Sequence, residues 1–260
     1  MDGRYDMDAI DATDLTTFGE GKGSVPMYEL VDVTKRYRRG AAQVVALAGV
    51  TMTIRAGEFV AIQGPTGHGK TTLLQLLGGL DRQSSGTVRF EGRELGSLSE
   101  LDLTRLRAQE VGFVFQSFNL IPTLTARENV ETALVPLGVA APERRSRAQA
   151  ALEDVALGDR AGHLPGELSG GEQQRTAIAR ALVKEPRVIL ADEPTGNLDE
   201  GTRDEIVALL EELWTGRGQT LVVVTHDSGI ARRAPRREWL FEGRLEQRDG
   251  SSTAGELIPG

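Results

Sequence analysis

The run Gly64-Pro65-Thr66-Gly67-His68-Gly69-Lys70-Thr71 constrains this chain more than any other stretch, because it stands between an apolar β-rich segment, Phe59 to Gln63, and an apolar helical one, Thr72 to Gly79. Glycines at these positions let successive backbone N–H groups converge, and the helix that follows aims its positive end at the same point. The pattern is a phosphate cradle inside a strand, loop and helix unit. Lys70 is spaced to reach β and γ phosphates, and Thr71 to ligate Mg²⁺ through its hydroxyl. Gly64, Pro65, Thr66, Gly67, His68, Gly69, Lys70, Thr71 and Thr72 are therefore the candidate phosphate-side positions. His68 stands at a variable loop position and carries no special role on this reading.

Two further motifs extend the site. Val188-Ile189-Leu190-Ala191 is an apolar strand that delivers Asp192 and Glu193 at its C-terminal end, where open α/β sheets bind ligands. Asp192 is the candidate for holding Mg²⁺. Neighbouring residues at a strand end point to opposite sides, which leaves Glu193 to polarise an attacking water. Leu168-Ser169-Gly170-Gly171-Glu172-Gln173-Gln174-Arg175 places Ser169 and Glu172 at capping-box spacing, so Ser169 begins a helix whose free N–H groups attract an anion. Taken singly, two acids ending a strand, or a helix start beside a glycine turn, are ordinary surface features. Downstream of a phosphate loop they point to one chemistry.

Around these motifs the chain reads as an α/β protein. Short β-rich runs, Tyr28 to Val33 and Val44 to Ile54, precede the phosphate loop, and Thr87 to Phe90 returns as a strand. Helical sequence dominates from Ser97 to Leu182, opening with Ser97 and Glu100 as a capping box and interrupted by the strand Val111 to Gln116. From Val188 strands and helices alternate, with a helix from about Gly201 to Trp214 and the run Thr220 to Thr225. Continuous Val, Ile and Leu suit strands buried on both faces of a parallel sheet. The expectation is a P-loop NTPase core with a mostly parallel sheet, an N-terminal antiparallel β subdomain and an inserted helical subdomain at about 117–170.

Composition excludes several other classes. No apolar run approaches the roughly 18 residues of a membrane helix, so the chain reads as one that does not span a bilayer. It has no cysteine and three scattered histidines, which removes disulfides and thiolate metal sites. A formal charge of −8 opposes nucleic acid as a partner. Half of that charge lies in residues 1–26, where six acids face two bases without an apolar centre; this stretch reads as a disordered acidic extension, not a signal peptide. Residues 27–248 form the domain, and 249–260 read as a frayed tail.

A serine and two glycines after leucine, followed by Glu-Gln-Gln-Arg, resemble the signature of the ATP-binding cassette superfamily, and the resemblance covers about residues 27–246. It implies ATP with Mg²⁺ as cofactors and gives each landmark a role. Tyr37 is the aromatic that stacks on adenine, Gln116 the lid-loop glutamine that reports on Mg²⁺, Asp199 the acid after Gly196-Asn197-Leu198, and His226 the switch histidine. Lys70, Gln116, Glu193 and His226 are the catalytic set, with Glu193 as base; Thr71, Gln116 and Asp192 are the metal set; Ser169, Gly170, Gly171 and Glu172 grip nucleotide from the facing subunit. The family works as a head-to-tail homodimer.

Val111 to Leu120 and Leu124 to Val130 further resemble the MacB, LolD and FtsE branch, whose members drive a separate four-helix membrane permease from the cytoplasmic face of the membrane. That implies a permease docking surface within residues 116–130, with Phe115, Phe118 and Leu120 as apolar candidates or, equally, as helical core. A soluble cassette ATPase of DNA repair or translation is the competing class, and a regulator that gates a cell-wall enzyme through a membrane partner is a third. The absence of a long heptad insertion and of a second cassette opposes the soluble class.

Overall fold

The computed structural model describes residues 25–40 and 42–246. The acidic extension expected over 1–26 lies outside the described residues except for Val25 and Pro26, as does the tail 249–260. Strands β1 (Tyr28–Arg39) and β2 (Ala42–Ile54) pair antiparallel, and β4 (Ser85–Phe90) and β5 (Arg93–Glu94) complete a four-stranded sheet of order β2-β1-β4-β5. A second sheet has the order β10-β9-β3-β8-β7-β6, formed by β3 (Phe59–Gln63), β6 (Val111–Phe115), β7 (Val188–Asp192), β8 (Thr220–Thr225), β9 (Arg236–Phe241) and β10 (Arg244–Glu246). All its neighbours are parallel except β10, which turns back on β9.

The parallel sheet divides two cores, and the period of two along each strand decides which side a residue serves. Val60, Ile62, Val188, Leu190, Val222 and Val224 face a core shared with the antiparallel sheet and with α1 (Lys70–Leu77), whose Leu73, Leu74, Leu76 and Leu77 are buried there. Each such leucine contributes about 1.5–3 kcal/mol. Phe59, Ala61, Ile189, Ala191, Leu221 and Val223 face the other core. It is filled from α3 (Ala126–Glu131), α4 (Ala141–Asp154), α5 (Gly170–Leu182), α6 (Glu200–Arg217) and α7 (Ser228–Arg233). Trp214 closes this side, donating its indole N–H to the Gly57 carbonyl at 2.7 Å and meeting Phe59 edge-on.

Two expectations need correction. The first helix after β5, α2 (Glu100–Gln109), is capped by Ser99, whose side chain accepts from the Asp102 N–H; Ser97 lies in a short 3-10 turn, Leu95–Ser97, and spends its hydroxyl on the Glu94 carbonyl. Ser99 and Asp102 have the same three-residue spacing as Ser97 and Glu100, which is how the register slipped. Strand β1 also runs to Arg39, not Val33, because irregularities in register with β2, beside Asp32 at φ 50°, let it bend and continue.

Candidate nucleotide site

The phosphate loop follows β3, at the centre of the parallel sheet. Gly69 has φ 100°, and a Cβ on it would lie 2.2 Å from the Ala46 carbonyl oxygen; on Gly64 it would lie 2.1 Å from that of Leu240. Only glycine lets the loop sit so close to both strands. α1 starts with no side-chain cap and no acid in its first turn, so its leading N–H groups stay available to an anion. Lys70 is 6% exposed and folds back over the loop, donating to the carbonyls of Gly64 at 2.7 Å and Pro65 at 3.0 Å.

Two carboxylates reach this loop from β7, the next strand but one. Asp192 Oδ1 accepts from the Thr71 hydroxyl at 3.2 Å, and Glu193 Oε1 lies 3.6 Å from the Lys70 ammonium. The two were expected to diverge, as strand neighbours do. They converge because Glu193 leaves the strand with φ 45°, its N–H held by the Val224 carbonyl at 2.9 Å. His226, just past β8, completes the group: its Nδ1 lies 2.9 Å from Glu193 Oε1, and its N–H donates to Oε2 at 3.2 Å. Burial, reinforced by the Glu193 charge, pushes the Asp192 carboxyl above its ordinary range against the pull of Thr71 and Lys70. A cation bound there would relieve that burden. Among the described residues no cluster of three His, Cys, Asp or Glu side chains forms a metal cage. A hydroxyl and one carboxylate suit instead a hard cation that keeps waters and takes phosphate oxygens, so the donors fit magnesium.

Tyr37 projects from β1 with 36% exposure. Its hydroxyl donates to Asp81 Oδ2 at 2.7 Å, and Lys35 Nζ lies 4.8 Å from its ring centroid. Burial first, then the Asp81 bond, raises the phenol above its usual value while Thr72 works against them. Asp81, which the sequence analysis missed, is held below the carboxylate range despite its burial by Lys35 and Tyr37. Nothing local marks it, since it stands 44 residues from Tyr37. Gln116 exchanges hydrogen bonds with Asn197: its Nε2 donates to Asn197 Oδ1 at 3.1 Å and its carbonyl accepts from Asn197 Nδ2 at 3.0 Å. It is thus tied to the loop after Glu193 instead of to Thr71 and Asp192.

Ser169 caps α5 in a full capping box, accepting from the Glu172 N–H at 3.2 Å while its own N–H donates to Glu172 Oε2 at 2.8 Å, which holds the Glu172 carboxyl low. Asp199 caps α6, with Oδ1 accepting from Thr202 N–H at 3.0 Å. A Cβ on Gly171 would meet the Thr202 methyl at 2.4 Å, so glycine lets the starts of α5 and α6 touch. Among the described residues no hydrogen bond or ion pair joins 168–175 to 64–72. The structure therefore gathers Lys70, Thr71, Asp192, Glu193 and His226 into one place and leaves Ser169, Gly170, Gly171, Glu172 and Asp199 in another.

A lysine folded over a glycine loop, with carboxylates converging on it across a parallel sheet, makes this a phosphate-loop nucleotide hydrolase. Residues 47–196 match the family model described as ABC transporter. An uncharacterized ABC transporter ATP-binding protein of Thermotoga maritima is 50% identical over 218 residues, covering 84% of this chain and 93% of that protein. The macrolide export ATP-binding/permease protein MacB of Marinobacter nauticus is 44% identical over 234 residues, 90% of this chain and 36% of its own length. This chain thus spans about a third of the MacB relatives it matches. The dimeric structure of the ATP-binding cassette MJ0796 in a post-hydrolysis state, bound to ADP and Pi, superposes with a TM-score of 0.79 at 45% identity, covering 85% of this chain and 97% of that one. The chain belongs to the ABC transporter family, as an ATPase cassette that binds and hydrolyses ATP.

Proposed function

We propose that this ATPase works as a head-to-tail homodimer and drives a separate integral-membrane permease of the four-helix, FtsX- or MacB-like type from the cytoplasmic face of the membrane. One observation supports the dimer above others: the anion-seeking start of α5 shares no polar contact with the phosphate loop of its own chain. A nucleotide seated on Lys70 leaves Ser169, Gly170 and Gly171 open to the phosphates of a second copy, and twofold symmetry then closes two such sites.

Within each site the backbone amides of 64–71 and Lys70 bind the phosphates, and Tyr37 stacks on the base. Glu193 accepts the proton of the attacking water, and His226 fixes its carboxylate from one side while facing the γ-phosphate. Thr71, Asp192 and, after release from Asn197, Gln116 would hold magnesium, whose charge would offset that of the β and γ phosphates. Asp199 orders the start of α6 beside the signature of its own chain. Breaking the β–γ bond removes the charge that holds the signature helices in place, and the dimer opens.

The permease reading is supported by a groove of about 280 Å³ lined by Phe113, Phe115, Asn119 and Ala133, by Arg180 of α5 and by Lys184 just beyond that helix. Arg180 holds the carbonyls of Phe118 and Asn119 at 2.7 and 2.5 Å, so an object seated in the groove bears on the segment that follows Gln116. Lys184 Nζ donates to the Arg107 carbonyl at 2.6 Å, and no carboxylate among the described residues pairs with either cation, so we infer that a partner segment carrying an acid seats there. No helix among the described residues is long and apolar enough to cross a membrane, so a membrane role needs a further segment or a partner. The test is affinity purification of the chain from detergent-solubilised membranes. An integral-membrane chain should co-purify and be lost from Lys184→Glu; recovery of the ATPase alone would favour a soluble role.

A further inference from the structure

The phosphate loop is gripped from outside by the turn between β9 and β10, and the grip is made by His68. Glu242 and Gly243 form that turn with φ of 45° and 74°, a two-residue connection whose amides point away from the hairpin. Both amides end on one residue. His68 Nδ1 accepts from the Glu242 N–H at 2.9 Å, and the His68 carbonyl accepts from the Gly243 N–H at 3.3 Å. The imidazole also stacks on Phe241, with centroids 4.7 Å apart and planes 27° apart. This arrangement requires the neutral ring with its proton on Nε2.

The other side of the turn leans on β2. The Gly243 carbonyl accepts from Ala48 N–H at 2.8 Å, and a Cβ on Gly243 would lie 2.7 Å from the Ala46 carbonyl oxygen. That same Ala46 oxygen is the one Gly69 approaches, so loop, turn and β2 meet within a few atoms. β2 pairs with β1 at Val44 and Tyr37, the residue expected at the base. The turn is thus a spacer between the phosphate end and the base end of the nucleotide site.

We propose that His68 is a positioning residue for nucleotide binding: by accepting the Glu242 amide it sets the phosphate loop at a fixed distance from the strand that carries Tyr37. The inference rests on the phosphate loop being the nucleotide site. A serine, glycine or alanine in its place would keep the carbonyl bond and lose the side-chain one.

Three variants separate the contributions. His68→Asn carries Oδ1 at the same number of bonds from Cα as Nδ1 and restores an acceptor without the ring. His68→Phe keeps the stack on Phe241 without an acceptor, and His68→Ala has neither. MgATP affinity is measured by titration calorimetry and steady-state turnover by phosphate release, with thermal midpoints for each protein. His68→Ala and His68→Phe should raise Kd and KM for ATP about 2- to 10-fold, as one lost hydrogen bond does, with kcat within about twofold of the parent. His68→Asn should bind like the parent. Equal affinity across all four, or an asparagine variant as weak as the alanine one, overturns the proposal; so does a fall in kcat at unchanged KM. If His68→Ala does not fold, the comparison of Asn with Phe decides. Lys70→Ala serves as the reference: nucleotide binding that survives it refutes the site itself, whereas loss there with an unresponsive His68 series refutes only the role of His68.

Discussion

Tyr37, the residue proposed to stack on the base, is held in place by its neighbours within the chain. Its hydroxyl is fixed by Asp81 and the Lys35 ammonium lies over its ring, so little rotamer entropy remains to be lost when a base stacks on it. Replacing Tyr37 with alanine should weaken ATP binding by about 1–3 kcal/mol, the range for one stacked base. Titration calorimetry checks this, and an unchanged affinity would make Tyr37 an ordinary strand residue anchored by Asp81. Glu193 is prepared differently. Its left-handed backbone costs a non-glycine residue about 1–2 kcal/mol, and that strain places a carboxylate between Lys70 and His226 where an extended residue would point it away. The identity of Glu193 is readable from two acids after an apolar strand. Its orientation is not, because a positive φ at glutamate leaves no mark in composition.

Among the elements, α5 starts in a capping box at Ser169 and ends in its last turn at Arg180, with Lys184 just beyond it. Burial, and then the Arg180 charge beside it, pushes the Lys184 ammonium from 10.5 down to about 8. Below that value both folded and unfolded chains hold the proton, and the folded state bears the whole penalty. Between about 8 and about 10.5 the unfolded chain binds the proton more tightly, so stability rises with pH through this window. The change in urea midpoint from about pH 7.5 to about pH 9.5 should therefore be more positive in the wild type than in Lys184→Met, which has no such group; identical changes would mean that the ammonium is not strained. The start of α5 was legible because a capping box is local, four residues that satisfy one another. The contacts of its other end were not, since Phe118 and Asn119 lie some sixty residues upstream. Strand β1 was underestimated for the same kind of reason: its second half is held by β2 through register shifts, not by alternation of its own.

At the scale of the molecule, the proposed division of each ATP site between two copies would make turnover depend on encounter. Glu193→Gln should lower turnover about 10²- to 10⁴-fold, as loss of a general base does, and leave the closed pair with ATP trapped between copies. Sedimentation of that variant with MgATP should give a dimer, and with ADP a monomer; near-normal turnover, or a monomer in both, would refute the assignment. The parallel sheet was legible as a class because Val188 to Ala191 and Thr220 to Thr225 are apolar on both faces. Its strand order was not, and the order matters most for β3. That strand lies between β8 and β9, both drawn from beyond residue 219. A nascent chain that has left the ribosome as far as Glu200 therefore carries the entire phosphate loop while lacking both neighbours of the strand that presents it. The loop gains its full sheet support only once Phe241 has emerged, so any help that ATP gives to folding is expected at the last stage of synthesis.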